Sequence, residues 1–324
     1  MISLIFPGQG SQQPTMGRFL FDNFSIAKET FQEASDAIGV DLKKLCFEGS
    51  EADLALTENT QPALLTVSTA TQRVLNKEYQ IKATSAAGHS IGEYAALVAA
   101  GVIDFYKATQ AVRIRGQAMQ SAVPLGQGGM FAVLGLEPQQ IQELCLWTVK
   151  NSGHSPVEPA NFNCPGQIVI SGSQKALTWL KENFSAEKIW GENAPKRAKL
   201  IPLSVSAPFH CSMMKPAEDK MRLVLSEMEF KTPQFPILQN FVADYVTEPE
   251  KLRENLIRQV SAPVLWTQSF EKAATQGERT FIECGHGKVL NGLLKKIHNE
   301  FQVMNTNSME DLKIIEDFLK TSRQ

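Results

Sequence analysis

No stretch of this 324-residue chain reaches the ~20 consecutive apolar residues a membrane span needs, and the N-terminal segment Met1–Pro7 has neither a basic part nor a long apolar one. A soluble cytoplasmic protein is expected. Cysteine is scarce. The five, Cys46, Cys145, Cys164, Cys211 and Cys284, are odd in number, widely spaced and free of C-x-x-C or Cys/His clusters, which argues against structural disulfides and against a zinc site. Net charge is nearly absent: −2, with a pI near 6.3, gives no global attraction to nucleic acid or an anionic membrane. Internal repeats and low-complexity tracts are also missing. What is present, 43% hydrophobic and 20% charged residues, suits a globular protein with one large domain and an insertion.

The most informative feature is Gly88-His89-Ser90-Ile91-Gly92, of the form G-x-S-x-G, placed between a short apolar stretch and a helix-like run. A nucleophile on a tight strand-to-helix turn needs glycines on both sides because side chains there would clash. The turn also sets Ser90 at a helix N-terminus, where free N–H groups and the dipole favour a developing oxyanion.

The surrounding pattern is α/β. Ile2–Phe6 reads as a buried strand ending in the glycine-rich turn Pro7–Gln12, which is neither a P-loop nor a G-x-G-x-x-G fingerprint. Thr60-Gln61-Pro62 is expected to open a helix with Thr60 as N-cap, continued by Ala63–Asn76. Ala83–Ala87 is taken as a strand only because a nucleophile turn needs one before it, and Ile91–Ala100 as a helix closed by Gly101.

The next helix, capped by Asp104, puts Ala108, Ala111, Val112, Arg115 and Met119 on one face, with Thr109, Arg113 and Gln117 on the other. A guanidinium in an apolar stripe is costly unless paired. Arg115 is therefore either a side chain snorkelling from the edge of the stripe or a clamp for a substrate carboxylate, for which its planar fork is suited.

Between 126 and 204 the strands and helices follow a β-α-β-β-α-β order: Gly129–Leu134, Pro138–Thr148, Pro159–Asn163, Gln167–Gly172, Lys175–Asn183 and Ala198–Val205. That is the split unit of a ferredoxin-like subdomain, expected here as an insertion, residues 126–204, in a catalytic α/β domain made of 1–125 and 205–324. Lys196, Arg197 and Lys199 form a basic loop within it, solvated or facing an acidic partner.

Ser90 needs a base, and the chain offers His89, His154, His210, His286 and His298. His210 is favoured, because Leu203–Ser212 reads as a strand ending in a proline-containing turn before a helix, where α/β folds build active sites. A capping or core role for it stays open. His286, in Cys284-Gly285-His286-Gly287, is the rival.

These residues resemble the malonyl-CoA:acyl carrier protein transacylases of fatty acid and polyketide synthesis. The likeness runs through nearly the whole chain: Phe6–Gln12, Thr60–Ala63, Gly88–Tyr94, Arg115-Gly116, Asn161-Phe162-Asn163, Pro165-Gly166-Gln167, Phe209-His210 and Gly287–Leu290. It implies an α/β-hydrolase-like large domain with an inserted ferredoxin-like subdomain, Ser90 as nucleophile forming a malonyl ester, and His210 as base. It further implies an oxyanion hole from the backbone N–H groups of Gln9 and Ile91, and a main-chain carbonyl at Gln259 orienting the histidine. Arg115 would pair with the malonyl carboxylate, Phe209 would leave little room for an α-methyl group, and Gln61, Asn161 and Asn163 would line the pocket. The implied reaction is ping-pong, with malonyl-CoA as donor, the phosphopantetheine thiol of an acyl carrier protein as acceptor, and neither metal nor other cofactor. A monomer is expected, with Lys196, Arg197, Lys199, Lys295 and Lys296 as docking charges for an acidic carrier.

The chain departs from the family pattern at His286, where a proline is usual, and at 151–158, which reads as extra loop. Three other functions compete. A trans-acting malonyl acyltransferase of a polyketide synthase would share every catalytic residue. A serine esterase or thioesterase shares G-x-S-x-G but places an acid and then a histidine near the C-terminus, whereas 114 residues follow His210 here and Arg115 would have no purpose. A non-catalytic interaction module would not need Ser90, His210 and Arg115 together.

Overall fold

The described residues form ten strands in two separate sheets. In the computed structural model, which describes residues 2–205 and 207–321, these are β1 (Ser3–Phe6), β2 (Ser85–Gly88), β3 (Gly128–Leu134), β4 (Val157–Cys164), β5 (Gln167–Ser173), β6 (Lys199–Pro202), β7 (Ile237–Gln239), β8 (Asp244–Val246), β9 (Thr280–Glu283) and β10 (Gln302–Met304). The larger sheet has the order β10-β9-β1-β2-β7-β8, parallel except for β8. Ser206, within the run that carries His210, lies outside the described residues, as do Met1 and 322–324.

β2 is the strand that propensity disfavours, being Ser-Ala-Ala-Gly, yet it sits near the centre of the sheet in register with β1 from Ser3↔Ser85 to Phe6↔Gly88. Its two faces are both covered: Ala86 packs with Leu4 and Phe6 in one core, Ala87 with Ile5 and Leu238 in another. A strand buried on both faces is fixed by its neighbours and by the room available, and small side chains fit beneath the helices stacked on it.

The helix expected to begin at Thr60 begins one turn earlier and spans Thr57–Tyr79, so Thr60 is a helical residue and not its cap. The Thr60 hydroxyl donates to the carbonyls of Leu54 and, at 3.1 Å, Leu56, which ties it to the preceding segment. Pro62 then lies inside the helix. Its missing N–H leaves the Glu58 carbonyl without its usual helical donor, and Arg113 Nη1 donates to that oxygen at 2.8 Å. The same crossing is close: a Cβ on Gly116 would stand 2.6 Å from Glu58 Cα. Helix Phe105–Ser121 is capped by the Asp104 side chain as expected. Thr109, read as lying on its polar face, is instead buried, with its hydroxyl donating to Phe105 O at 2.8 Å.

The smaller sheet has the order β4-β5-β3-β6, all antiparallel, with helices Pro138–Ser152 and Gln174–Asn183 joining its strands: a ferredoxin-like unit. Alternation along β3 and β5 divides the sheet's two faces. Phe131, Val133, Ile168 and Ile170 pack with Leu144 and Leu177 of the helices, whereas Met130, Ala132 and Val169 join the large domain's core. The last strand is shorter than the sequence suggests, Lys199–Pro202. The segment 151–158 is half regular: Asn151 and Ser152 finish a helix, Val157 and Glu158 begin β4, and 153–156 connect them. β4 is bolted to the large domain by Phe162 N–H to Val264 O and Val264 N–H to Ala160 O, both 2.9 Å. Glu158 adds two bonds of 2.7 Å, from the Ser212 amide and hydroxyl. The fold is thus an α/β-hydrolase-like domain with a ferredoxin-like subdomain seated on it. Among the described residues no helix is long and apolar enough to cross a membrane, no cluster suits a metal ion, and all five cysteines are free and buried.

Candidate active site

The turn after β2 explains both glycines of G-x-S-x-G. A Cβ on Gly88 would lie 1.9 Å from the Gly92 carbonyl carbon, and one on Gly92 would lie 2.2 Å from Phe6 O, so neither position admits a side chain. Between them Ser90 takes φ +52°, a conformation an L-residue keeps only when its surroundings hold it there. This sets Ser90 just before helix Gly92–Ala99, where it lines a cleft.

His210, at φ +58° in the turn after the small subdomain, meets that serine: Nε2 is 2.7 Å from Ser90 Oγ. Its Nδ1 faces Gln259 O at 2.9 Å. A carbonyl only accepts, so Nδ1 carries the hydrogen and Nε2 presents its lone pair to the serine hydroxyl. Burial, reinforced by the Arg115 charge, pushes the imidazole down to about 3, against the pull of the Gln259 bond, and keeps it in the basic form. The orienting third group is a main-chain carbonyl and not a carboxylate.

Arg115 is 1% exposed, and one of its terminal nitrogens, Nη2, donates to Ser90 Oγ at 3.2 Å and to Gln259 Oε1 at 3.0 Å. Among the described residues no carboxylate lies within ion-pairing distance, and the guanidinium Nε has no partner. Desolvation lowers its pKa, with the Tyr94 and Glu93 groups opposing the shift; Tyr94 also lies under the guanidinium, Cζ to ring centroid 5.8 Å. A buried cation so short of partners, aimed at a reactive hydroxyl, is suited to receive an anion.

Gln9, Gln61, Ile91, Asn161, Asn163 and Phe209 line the same cleft, together with His89, Met119, Met130, Val169, Leu203 and Val205. A larger surface depression of about 910 Å³ lies against helix Ser25–Ile38 and shares no residue with it. Size therefore does not locate the site, whereas the convergence of Ser90, His210 and Arg115 does. Ile91 opens helix Gly92–Ala99, and Gln9 sits on the loop after β1. Gln61 donates to Met119 Sδ at 3.7 Å and leaves its Oε1 without a partner.

His89 and His286 are engaged elsewhere. His89 Nε2 meets Asn163 Oδ1 at 2.9 Å and its ring packs 5.3 Å from Trp266, which links the turn to β4. His286 reaches Gln13 Oε1 at 3.3 Å, in a loop pressed so closely on the β1 loop that a Cβ on Gly285 would stand 2.7 Å from the Pro7 ring. Lys196, Arg197, Lys199, Lys295 and Lys296 are all exposed, the first three before and at the start of β6, the other two in the last turn of helix Val289–Ile297.

Sequence reasoning named Gln259 for its carbonyl and missed the rest of the layer beneath the serine. Glu93, Gln239, Asn240 and Gln259 are each 0% exposed. Glu93, pushed up to about 7 by burial, accepts from Asn240 N at 2.8 Å and from Gln239 Nε2 at 2.9 Å. The Gln259 side chain also contributes, donating to Ser90 O at 3.1 Å. Glu93 was detectable as a lone charge in an alanine-rich helix. Asn240 carries no local signal.

The acyl transferase domain family model matches residues 3–316. The malonyl CoA-acyl carrier protein transacylase of Bacillus subtilis (strain 168) is 42% identical over 319 residues, covering 98% of this chain and 97% of that protein. Among solved structures, an acyl carrier protein S-malonyltransferase from Vibrio cholerae superposes with a TM-score of 0.88 at 41% identity, over 97% of this chain and 99% of that one. A malonyl-transacylase solved in complex with a type II PKS acyl-carrier protein gives 0.89 at 40% identity, over 98% and 99%.

Proposed function

The chain belongs to the acyl transferase domain family, and from that premise we propose that it moves the malonyl group from malonyl-CoA to the phosphopantetheine thiol of an acyl carrier protein, supplying extender units for fatty acid synthesis. The observation that carries this reading is the meeting of Ser90 Oγ with both His210 Nε2 and Arg115 Nη2.

In the first half-reaction Ser90 Oγ attacks the thioester carbonyl while His210 Nε2 takes its proton. The oxyanion that forms is held by the N–H groups of Gln9 and Ile91, donors of a kind worth about 3 kcal/mol each in the transition state. Collapse expels the CoA sulfur, which recovers the proton from His210, and leaves a malonyl-serine ester. In the second half-reaction His210 takes the proton of the carrier's thiol, the thiolate attacks the ester, and Ser90 recovers its proton as it leaves. Throughout, Arg115 holds the malonyl carboxylate through the nitrogens its protein partners leave free. The ring of Phe209 crowds the α-carbon, while Gln61, Asn161 and Asn163 border the acyl group. Thioester, ester and thiol exchange without oxidation or reduction, so malonyl-CoA is a substrate and no further cofactor is required.

Residues 126–204 serve as the inserted subdomain closing the cleft, between 1–125 and 205–324. The protein acts as a cytoplasmic monomer. The similarity to the transacylase solved with a type II PKS carrier supports a second reading, service to a polyketide carrier, with the same chemistry. A hydrolase reading has little support, because His210 leans on the Gln259 carbonyl and a hydrolase gives Arg115 no task.

Intact-protein mass spectrometry after brief incubation with malonyl-CoA or acetyl-CoA tests the proposal on wild type, Ser90→Ala and Arg115→Ala. A malonyl-sized adduct on wild type, absent from Ser90→Ala, is expected. Steady CoA release with no adduct would point to hydrolysis instead. Parallel transfer to fatty acid and polyketide carriers separates the two pathways.

A further inference from the structure

The parallel pairing of β2 with β7 stops at Ala87↔Leu238, one residue short of the end of β2. Beyond that point the chain after β7 turns away, and the backbone of the serine turn faces side-chain atoms instead. Asn240, the residue following β7, donates from Nδ2 to Gly88 O at 2.8 Å and accepts at Oδ1 from Ser90 N–H at 2.7 Å. One carboxamide thus bridges the carbonyl before the turn and the amide of the nucleophile itself. Asn240 is fixed in its turn: its N–H donates to Glu93 Oε2 at 2.8 Å, its carbonyl accepts from Leu265 N at 3.0 Å, and Gln259 Nε2 approaches Oδ1 at 3.3 Å. It is 0% exposed, does not line the cleft, and so has no route to substrate.

Building on acyl transfer at Ser90, we propose that Asn240 is a positioning residue, whose carboxamide continues the β7 ladder onto the turn and holds Ser90 in its left-handed conformation. The held conformation keeps Oγ against His210 and sets the direction of the Ile91 N–H that follows. Without the bridge, the part-buried Ser90 amide and the buried Gly88 carbonyl lack this partner, and the turn relaxes toward other pairings. Loss of the bridge acts on the rate at which Ser90 is acylated and leaves capture of the malonyl carboxylate by Arg115 in place.

Full-length wild type, Asn240→Ala and Asn240→Asp are compared in rapid-quench acylation by malonyl-CoA, and in labelling by a fluorophosphonate, which reads Ser90 reactivity whatever the acyl donor. In Asn240→Ala the acylation burst keeps its amplitude while its rate constant falls about 100-fold, the loss that follows a misplacement near 1 Å. Fluorophosphonate labelling slows in parallel. In Asn240→Asp, Oδ1 still accepts from Ser90, but an ionised Oδ2 meets the Gly88 carbonyl without a proton; protonation restores the donor. Its rate relative to wild type therefore recovers as the pH is lowered. The groups around residue 240, Glu93, Gln259 and Ser90 with Arg115, His89 and His210 beyond them, are common to both proteins, so the ratio isolates the substitution.

A smaller burst at an unchanged rate constant, or an Asn240→Asp ratio flat with pH, overturns the proposal, because a residue that only stabilises the fold would give that result. Should Asn240→Ala not fold, Asn240→Asp decides alone. Wild type that reacts with fluorophosphonate and takes up no malonyl group would sink the transfer reading, while the Asn240 comparison would still stand on the fluorophosphonate rates.

Discussion

Arg115→Ala is the perturbation whose consequences can be followed furthest. In the wild type the guanidinium is buried, its Nε has no partner, and Ser90 Oγ and Gln259 Oε1 both accept from one nitrogen. On the proposed reading, a malonyl carboxylate entering this cleft gives up its water and recovers the cost chiefly by pairing with Arg115. Truncating one member of a buried ion pair costs about 3–5 kcal/mol, because the other charge is left without compensation. At 1.36 kcal/mol per tenfold, kcat/KM for malonyl-CoA is expected to fall by about 10²–10⁴. Acetyl-CoA brings no carboxylate, so its kcat/KM is expected to hold or rise, and the preference between the two donors inverts. A second signature accompanies this. The Arg115 charge is one of the causes, after burial, that hold the His210 pKa low. Removing it raises that pKa, and since His210 must be neutral to act as base, the acid limb of the pH–rate profile moves to higher pH. Arg115→Lys, which keeps the charge and loses the fork, is expected to fall between the two proteins. Stopped-flow CoA release with both donors across pH measures all of this. Equal losses for malonyl-CoA and acetyl-CoA would refute the reasoning, since they would mean general damage to the cleft and not the loss of a carboxylate partner.

The remaining predictions concern the turn, the surface and a distant buried acid. Gly88→Ala drives a methyl group into the Gly92 backbone; chemical denaturation should register a loss of about 3 kcal/mol or more, and a near-neutral result would mean the turn is less tight than described. Charge reversal at Lys196, Arg197 and Lys199, or at Lys295 and Lys296, should raise the KM for carrier protein while sparing malonyl-CoA hydrolysis, and unchanged carrier kinetics would remove these residues as docking charges. Glu283, buried beneath helix Val289–Ile297, accepts from the Leu290 and Asn291 amides, and burial pushes it up from 4.5 to about 7. The folded state then binds its proton more tightly than the unfolded state does, so its contribution to stability is full below about pH 4.5 and declines as the pH rises through about 7. Glu283→Gln lacks that decline. The stability of wild type relative to Glu283→Gln in urea titrations should therefore fall over this window, and a difference constant with pH would show that Glu283 ionises in the fold as it does in water.

Where the sequence was legible, the determinants were local. Two glycines around Ser90, an Asp104 cap and the alternation of β3 and β5 each specify their own stretch of backbone, because a missing Cβ, a capping oxygen or a period of two acts within a few residues. Arg115 was legible for the same reason, as one charge on an apolar helical face. Ser90, His210 and Arg115, which the fold brings together, were thus candidates for nucleophile, base and cation before any fold was known; a core role for His210 and a snorkelling role for Arg115 stayed open until the family resemblance, which also supplied the roles proposed for Gln9, Ile91 and Gln259.

Tertiary structure decided what depends on contacts between distant segments. β2 exists because β1 and β7 flank it, in spite of a composition that disfavours strands. Helix Thr57–Tyr79 runs past Pro62 because Arg113, 55 residues away from Glu58, takes the carbonyl that the proline cannot serve. Thr109 is buried because its own helix carbonyl satisfies its hydroxyl. The layer beneath Ser90 is the clearest case: Asn240 and Gln259 lie 150 and 169 residues from the serine whose backbone they hold. An asparagine or glutamine looks the same in sequence whether it faces water or replaces a missing strand partner. Its role is set by which unpaired backbone group the fold brings within hydrogen-bonding reach, and that is a property of the packed chain alone.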